Sequence, residues 1–436
     1  MMKPARRERI RAISFALGAG ADLHLVGGCV RDQLLGESPH DIDLCTVLTP
    51  DKVEERLTKA NIRHITTGIR RGTVTAIIDQ ETFEITTFRN PENEKQFVQD
   101  IETDLAARDF TINAIAMNVV TETIVDPFNG RQDLRNDLVR CVGDPNKRFR
   151  EDPHRILRMA RFAWGAQRIV CPETEKAAEE LSHLIINVAP ERVHDELIKI
   201  VCTKFPDRAL DGLQRAGALR IILPELEACV GIVQNKHHTL DVFNHIIQTV
   251  ANIRNDKILR LAAMFHDIAK PITLTTDEKG DNHFYGHEHE GVIMTTNIME
   301  RLRFSNNDIQ NVTRLIDKHG LDTNCGDAGV RRLLRNFGEE GALQLIELKQ
   351  ADGLAGHVND RAEELQDFLL RVKEQIEFAK NNPFIKLAID GNDIMNLGVP
   401  KGKEVGRLLQ LVREAVLEVP EDNNREFLLE LVKKEL

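Results

Sequence analysis

The chain has 436 residues, enough for two to four domains, and 42% hydrophobic with 29% charged residues is the balance of a globular protein. A net charge of −11 argues against a wholly basic nucleic-acid binder, so any such surface must be local. Seven cysteines without CxxC spacing argue against a disulfide or zinc framework, and no apolar run reaches membrane-spanning length; both point to a cytoplasmic protein.

The first 145 residues mix short β-branched runs with helical patterns. Leu23–Val26, Ile42–Val47, Val74–Ile78, Phe83–Phe88 and Ile124–Asp126 are predicted strands. Beyond Asp144-Pro145 the pattern turns helical: Ile156, Met159, Ala160 and Ala163 keep helical spacing, as do Leu197, Ile200 and Val201, and Ile258, Leu261, Ala262 and Phe265. Breaks are predicted at Asp144-Pro145, Phe205-Pro206, Leu223-Pro224, Thr276–Asn282 and Asn381–Pro383. Basic residues gather in three places: Arg6, Arg7, Arg9 and Arg11; Arg63, Arg70 and Arg71; and Lys147, Arg148, Arg150, Arg155, Arg158 and Arg161. The third run is dense enough for a phosphate track; the bland alternative is solvated surface charge.

Chemistry concentrates in Leu25-Val-Gly-Gly-Cys-Val-Arg-Asp-Gln-Leu-Leu-Gly36, followed by Asp41-Ile-Asp43. Gly27 and Gly28, between strand and helix, let backbone approach a triphosphate. Asp41 and Asp43, two apart on a predicted strand, aim both carboxylates at one face. Such a pair suits magnesium, which takes hard oxygen ligands, and two metals serve attack by a hydroxyl and departure of pyrophosphate. Glu84, flanked by apolar Phe83 and Ile85 on the opposite face, is the candidate third carboxylate.

These residues resemble the head motif of class II tRNA nucleotidyltransferases and the related bacterial poly(A) polymerases. Further segments resemble that family in its order: Arg108-Asp-Phe-Thr-Ile-Asn-Ala114, Asp126-Pro-Phe-Asn-Gly130, Glu151-Asp-Pro-His-Arg-Ile-Leu-Arg-Met-Ala-Arg-Phe162, and Ala189-Pro-Glu-Arg192 with Glu196. The resemblance covers nearly the whole chain. It implies an α+β fold: a small α/β nucleotidyltransferase head with a mixed β-sheet at 1–145, an all-α neck at 146–225, an HD-type body at 226–360 and a tRNA-binding tail at 361–436. The implied reaction adds CCA to the tRNA 3′ end from CTP and ATP with Mg2+, and the implied tRNA contacts are the acceptor stem and elbow. Asp41, Asp43 and Glu84 would be catalytic. Gly27, Gly28, Arg31, Arg108, Asp109, Asn113, Asp152, Arg155, Arg158 and Arg161 would bind the nucleotide, with Asp109 and Asn113 at the ribose.

Asp152 and Arg155, three apart at a helix start, are the candidate base readers. Arginine only donates and ionised aspartate only accepts, so the pair suits the acceptor-beside-amine edge of cytosine or adenine and opposes uracil and guanine. The structural alternative is that Asp152 caps a helix with Pro153 at its first position. Two departures stand out. Leu105-Ala-Ala-Arg-Asp109 lacks one of the two cations usual before that aspartate, and Asn90–Thr103 is shorter than the flexible loop of most relatives. A short loop resembles CC-adding members, so CC addition stays open beside full CCA addition; poly(A) polymerase activity shares the head motifs.

His245, His266-Asp267 and Asp352 follow the order of an HD phosphohydrolase domain, with His287 and His289 as further ligand candidates. Imidazole and carboxylate ligands suit a divalent metal, and a His-Asp doublet inside Leu261-Ala-Ala-Met-Phe-His-Asp267 is costly to bury without one. The resemblance implies phosphatase or phosphodiesterase activity, including on 2′- or 2′,3′-cyclic phosphates of damaged RNA ends. A phosphohydrolase whose head only binds RNA is the rival from another class. Ile389–Gly398 and Gly402–Leu409 resemble the tail region of HD-containing members.

Overall fold

The computed structural model describes residues 4–39, 41–69, 72–90, 97–234, 240–356, 362–381 and 386–436. Arg70 and Arg71, positions 91–96 of the short loop and most of the predicted break at Asn381–Pro383 lie outside the described residues. The chain divides into two compact units, Met1–Ile222 and Leu223–Leu436. The predicted head and neck thus share one unit, and the predicted body and tail share the other.

The first unit is built on a seven-stranded mixed sheet. Its strands are β1 (His24–Val26), β2 (Asp43–Thr46), β3 (Arg63–Ile65), β4 (Thr73–Ile78), β5 (Glu81–Thr87), β6 (Ala116–Asn118) and β7 (Ile124–Val125), in the order β3-β4-β5-β2-β1-β6-β7. Only β2 and β5 pair in parallel; the other neighbours are antiparallel. Alternation fixes the faces. On β5, Phe83 and Ile85 enter a core with Leu25, Leu44 and Val74, while Thr82 and Glu84 point away from it.

Helices then follow, as the spacing predicts. Pro145–Glu151 starts on an Asp144 cap with Pro145 at its first position, and His154–Phe162 buries Ile156, Leu157, Met159 and Ala160. The Asp126-Pro-Phe-Asn-Gly130 turn has a clear physical cause. The Asp126 carboxylate accepts from Gly130 N at 2.7 Å and Arg131 N at 2.9 Å. A Cβ at position 130 would stand 2.0 Å from the Thr111 carbonyl oxygen, so only glycine fits.

Several residues of the basic clusters serve the fold. Arg6 and Arg9 bind Glu81, and Arg9 also binds Asp79. In the third run, Arg148 is buried and donates to Val142 O, Ala106 O and Glu151, while Lys147 and Arg150 are exposed.

The second unit is helical apart from a small hairpin, Thr275–Thr276 with Asn282–His283, where the sequence predicts a break. Asp241, Asp256 and Ser305 cap the helices Val242–Asn252, Lys257–Phe265 and Asn306–Lys318. Every residue from Leu259 to Phe265 is buried, so that helix is the hub of the unit. The long helix Asp327–Ala355 bends at Gly338, where φ is 69°. Among the described residues, no helix is long and apolar enough to cross a membrane.

Candidate functional site

One cleft of about 1360 Å³ in the first unit gathers Gly27, Gly28, Arg31, Asp41, Asp43, Glu84, Arg108, Asp109, Asn113, Asp152, Arg155, Arg158 and Arg161. Segments spread over some 130 positions therefore meet at one place. Such a volume accommodates a nucleotide and a nucleic-acid end together.

Gly27 turns the chain from β1 into the helix Gly28–Leu34 at φ 68° and ψ −131°, a conformation that side chains resist. A Cβ there would also stand 3.0 Å from Arg108 Nη1. At Gly28 the nearest group is Arg31 Nη2 at 3.6 Å, ordinary contact, and φ is not positive. Gly27→Ala should therefore cost about 1–3 kcal/mol of stability, and Gly28→Ala distinctly less. Urea unfolding of the two variants checks this; equal losses would remove the backbone argument.

The carboxylates sit on neighbouring strands. Asp43 opens β2 and lies in register with Glu84 on β5. Asp41 precedes β2 rather than lying on it, because the strand begins at Asp43. Burial pushes the pKa of the Asp43 carboxyl up from its ordinary value, and the Glu84 charge adds to it. That is a site short of positive charge, which a divalent cation would relieve. Among the described residues, the sets of three ligand atoms within 4.8 Å of one another lie in the second unit, not here. The head carboxylates offer the hard oxygen ligands that a divalent cation takes.

The other motifs are wired together behind the carboxylates. Arg31 Nη1 donates to Asn113 Oδ1 at 2.8 Å, Asn113 Nδ2 to Asp109 Oδ1 at 3.1 Å, and Arg158 Nε to Asp109 Oδ2 at 2.7 Å. Burial works against the Asp109 charge, but Arg158 and Asn113 outweigh it and hold its pKa at about 2, so it stays an acceptor. Arg31 also pairs with Asp32, Arg108 with Asp104, and Arg161 with Glu196. Three guanidiniums, of Arg31, Arg158 and Arg161, stand 3.9–5.1 Å from the Phe162 ring centre.

Asp152 and Arg155 both line the cleft but do not pair. Asp152 is extended, with φ −148° and ψ 95°, between Pro145–Glu151 and His154–Phe162. Its carboxylate takes a two-pronged bond from Arg192, at 2.7 and 3.0 Å. Arg155 donates to Ala107 O at 3.1 Å, Arg148 O at 3.2 Å and Glu151 at 3.2 Å. Asp152 also accepts from His154 N at 3.3 Å, so its carboxylate holds the start of His154–Phe162 from two residues before it, with Pro153 at the N-cap position. Arg192 is the residue that the spacing argument misses. Its signal is the Ala189-Pro-Glu-Arg192 segment, which starts the helix Pro190–Val201.

In the second unit His245, His266, Asp267 and Asp352 converge, with His245 Nε2 2.8 Å from Asp352 Oδ1 and His266 Nε2 3.2 Å from Asp267 Oδ2. His287 joins them, 3.3 Å from Asp267 Oδ1. His289 is exposed and belongs to neither cluster of ligand atoms, since two positions along a helix turn it away. His319, which the sequence reading passes over, lies 3.7 Å from Asp267 Oδ1.

Comparison with known proteins bears on both units. Family models match at residues 23–140 (poly A polymerase head domain), 170–230 (probable RNA and SrmB-binding site of polymerase A) and 293–432 (tRNA nucleotidyltransferase domain 2, putative). The chain is 31% identical over 435 residues to a CCA-adding enzyme of Lactobacillus johnsonii, covering 95% of this chain and 94% of that one. It is 30% identical over 408 residues to an A-adding tRNA nucleotidyltransferase of Deinococcus radiodurans, covering 90% of each. A CCA-adding enzyme of Lactobacillus helveticus is 42% identical over 190 residues, 42% of this chain and 46% of that one. The crystal structure of the Bacillus stearothermophilus CCA-adding enzyme in complex with CTP superposes with a TM-score of 0.78 at 25% identity, covering 100% of this chain and 98% of that one. With its mixed-sheet head, helical remainder and near-full-length relatives, the chain belongs to the class II tRNA nucleotidyltransferase and poly(A) polymerase family.

Proposed function

We propose that the chain adds the 3′-terminal CCA to tRNA from CTP and ATP without a nucleic-acid template. The observation that carries this reading is the single cleft that joins the Asp41, Asp43 and Glu84 carboxylates to the Asp152 and Arg155 pair of the neck. Full-length similarity to a CCA-adding enzyme supports it. In the reaction the tRNA 3′-oxygen bonds to the α-phosphorus, the bond from that phosphorus to the β-bridging oxygen breaks, and pyrophosphate leaves. Asp41 and Asp43 hold magnesium, and Glu84 adds its charge in register with Asp43. When bound, magnesium eases loss of the hydroxyl proton and offsets the charge on pyrophosphate. Gly27, Gly28, Arg31, Arg108, Arg158 and Arg161 surround the triphosphate, and Asp109 and Asn113 take the ribose. Asp152 and Arg155 read the base, so the growing RNA end needs no template.

Within the units, 1–145 is the catalytic head, 146–225 the base-reading neck, 226–360 an HD-type body holding a divalent metal at His245, His266, Asp267, Asp352 and His287, and 361–436 a tail that takes the tRNA elbow. The proposed substrates support a cytoplasmic location.

Two restricted specificities have an observation in their favour: CC addition, from the short Asn90–Thr103 segment, and A addition, from the Deinococcus relative. Purified protein with magnesium is given tRNA lacking CCA, tRNA ending in C and tRNA ending in CC, each with labelled CTP or ATP. The expected result is completion of CC followed by a single A. Arrest after CC makes the enzyme CC-adding; A incorporation confined to the CC substrate makes it A-adding; a long A tail makes it a poly(A) polymerase. No incorporation on any substrate would overturn the reading.

A further inference from the structure

We propose that Phe162 is a positioning residue whose ring assembles the guanidiniums of Arg31, Arg158 and Arg161 into a clamp for the outer two phosphates of the incoming nucleotide, and so for the pyrophosphate that leaves. This rests on the nucleotidyl-transfer reading of the first unit and extends it to a side chain that carries no charge.

Phe162 is not ordinary core. It is 8% exposed and still lines the cleft. Helical spacing puts it on one face with Arg155 and Arg158. Two contacts hold the ring. Phe110, fully buried and next to Asp109, meets it edge-on at 6.1 Å between centres and 71° between planes. Arg168 Nη1 donates to the Phe162 carbonyl at 3.2 Å, which ties down the end of the helix. Around the ring so fixed stand Arg161 at 3.9 Å, Arg31 at 4.9 Å and Arg158 at 5.1 Å from its centre.

Gathering like charges is costly. Burial pushes the Arg161 guanidinium down from its ordinary pKa; Glu196 opposes that, and the Arg158 charge adds to it. Burial does the same to Arg168, and there the Arg31 charge is the next cause. The aromatic face carries the negative end of a quadrupole and attracts each cation, which an aliphatic side chain of the same bulk would not do. A guanidinium lying against a ring keeps its N–H edge for phosphate oxygens.

Donors are left over for that purpose. Arg158 grips Asp109 through Nε and Nη2, both at 2.7 Å, and Arg161 gives Nε to Glu196. Among the described residues no acceptor takes Arg158 Nη1 or either Nη of Arg161. Lys199, three residues after Glu196, also lines the cleft and makes no ion pair with a described residue. Cations therefore outnumber the carboxylates Asp32, Asp109 and Glu196 that face them, which suits a polyanion. The clamp also reaches the reacting centre. Burial and the Glu84 charge push Asp43 up, while the Arg108 and Arg158 charges act the other way. With the α-phosphate at the carboxylates, the outer phosphates fall to the arginines. Donors fixed in advance match the charge that grows there as the bond to the β-bridging oxygen breaks.

The test titrates the full chain, with magnesium, against CTP, CMP and pyrophosphate by calorimetry. Phe162→Leu should weaken CTP and pyrophosphate by about 10-fold or more and CMP by less than about two-fold. Phe162→Tyr keeps the aromatic face and should stay within about three-fold of the parent. Leucine also changes the packing, so phenylalanines with one, two and three ring fluorines are placed at position 162 by nonsense suppression. Fluorine drains the ring face and barely alters its volume. Affinity for CTP and pyrophosphate should fall stepwise along this series while CMP stays level. A level series for CTP and pyrophosphate, or a loss shared equally by CMP, overturns the clamp and leaves Phe162 a packing residue. Incorporation assays on the same proteins separate the two readings. A parent that binds CTP but extends no tRNA overturns the proposed reaction, and the fluorine series still decides the clamp. A parent that binds neither CTP nor pyrophosphate overturns both.

Discussion

Asp41→Ala and Asp43→Ala are each expected to lower nucleotide incorporation by about 10³-fold while leaving the fold intact. Removing a metal ligand at the reacting phosphate forfeits several kcal/mol of charge stabilisation, and about 4 kcal/mol corresponds to three decades in rate. Stability should not follow. Asp41 is exposed and precedes β2, so its loss should stay within about 0.5 kcal/mol. Asp43 is half-buried beside Glu84, where burial and that charge both disfavour ionisation, so its removal relieves more than it breaks. Glu84→Gln keeps the shape and deletes only the charge in register with Asp43, and a loss of roughly 10–100-fold is expected, equal to about 1.4–2.7 kcal/mol. Single-turnover incorporation of labelled CTP, read beside urea unfolding, separates these effects. An Asp41→Ala protein that keeps more than a tenth of the parental rate would sink the metal assignment.

Much of the head is legible in the sequence because its signals are local. The Phe83–Phe88 alternation gives β5 and puts Glu84 on the face away from the core. Gly27 marks a backbone that only glycine adopts readily. The strands that escape prediction lack such signals. Arg63–Ile65 is a three-residue edge strand without apolar alternation, and Ala116–Asn118 is three residues long. The calculation of spacing also fails at Asp152. An i,i+3 pair shares a helix face only if both residues are helical, and Asp152 is extended between two helices. Its partner Arg192 lies 40 positions away, a distance no periodicity spans.

The second unit shows the same limit. His266-Asp267 is visible as a polar doublet in an apolar run. His319 is a single histidine just past the helix Asn306–Lys318, and nothing nearby in sequence marks it. Only packing of that helix against Lys257–Phe265 and His287–Arg301 brings it to Asp267. Long-range side-chain convergence, rather than element type, is what a single sequence leaves unread.

Nucleotide choice gives the second large expected effect, and it turns on Arg192. Its bond to Asp152 joins side chains that are 49% and 29% exposed, so the pair contributes less than about 1 kcal/mol to folding. For Asp152, burial works against the charge, but the Arg192 bond and charge outweigh it and hold the carboxyl below its usual range. Asp152 therefore stays ionised and accepts, matching the amine of cytosine or adenine, and Arg192 is a positioning residue that aims it. Asp152→Ala is expected to lower the CTP-over-UTP ratio of kcat/KM by roughly 10–100-fold, the worth of a hydrogen bond to a charged group. Arg192→Ala should move the same ratio in the same direction by a smaller factor, with the melting temperature nearly unchanged. Arg192→Lys keeps the charge without the fork and should recover only part of the ratio. A merely structural Arg192 would instead lower stability and leave the ratio where it was.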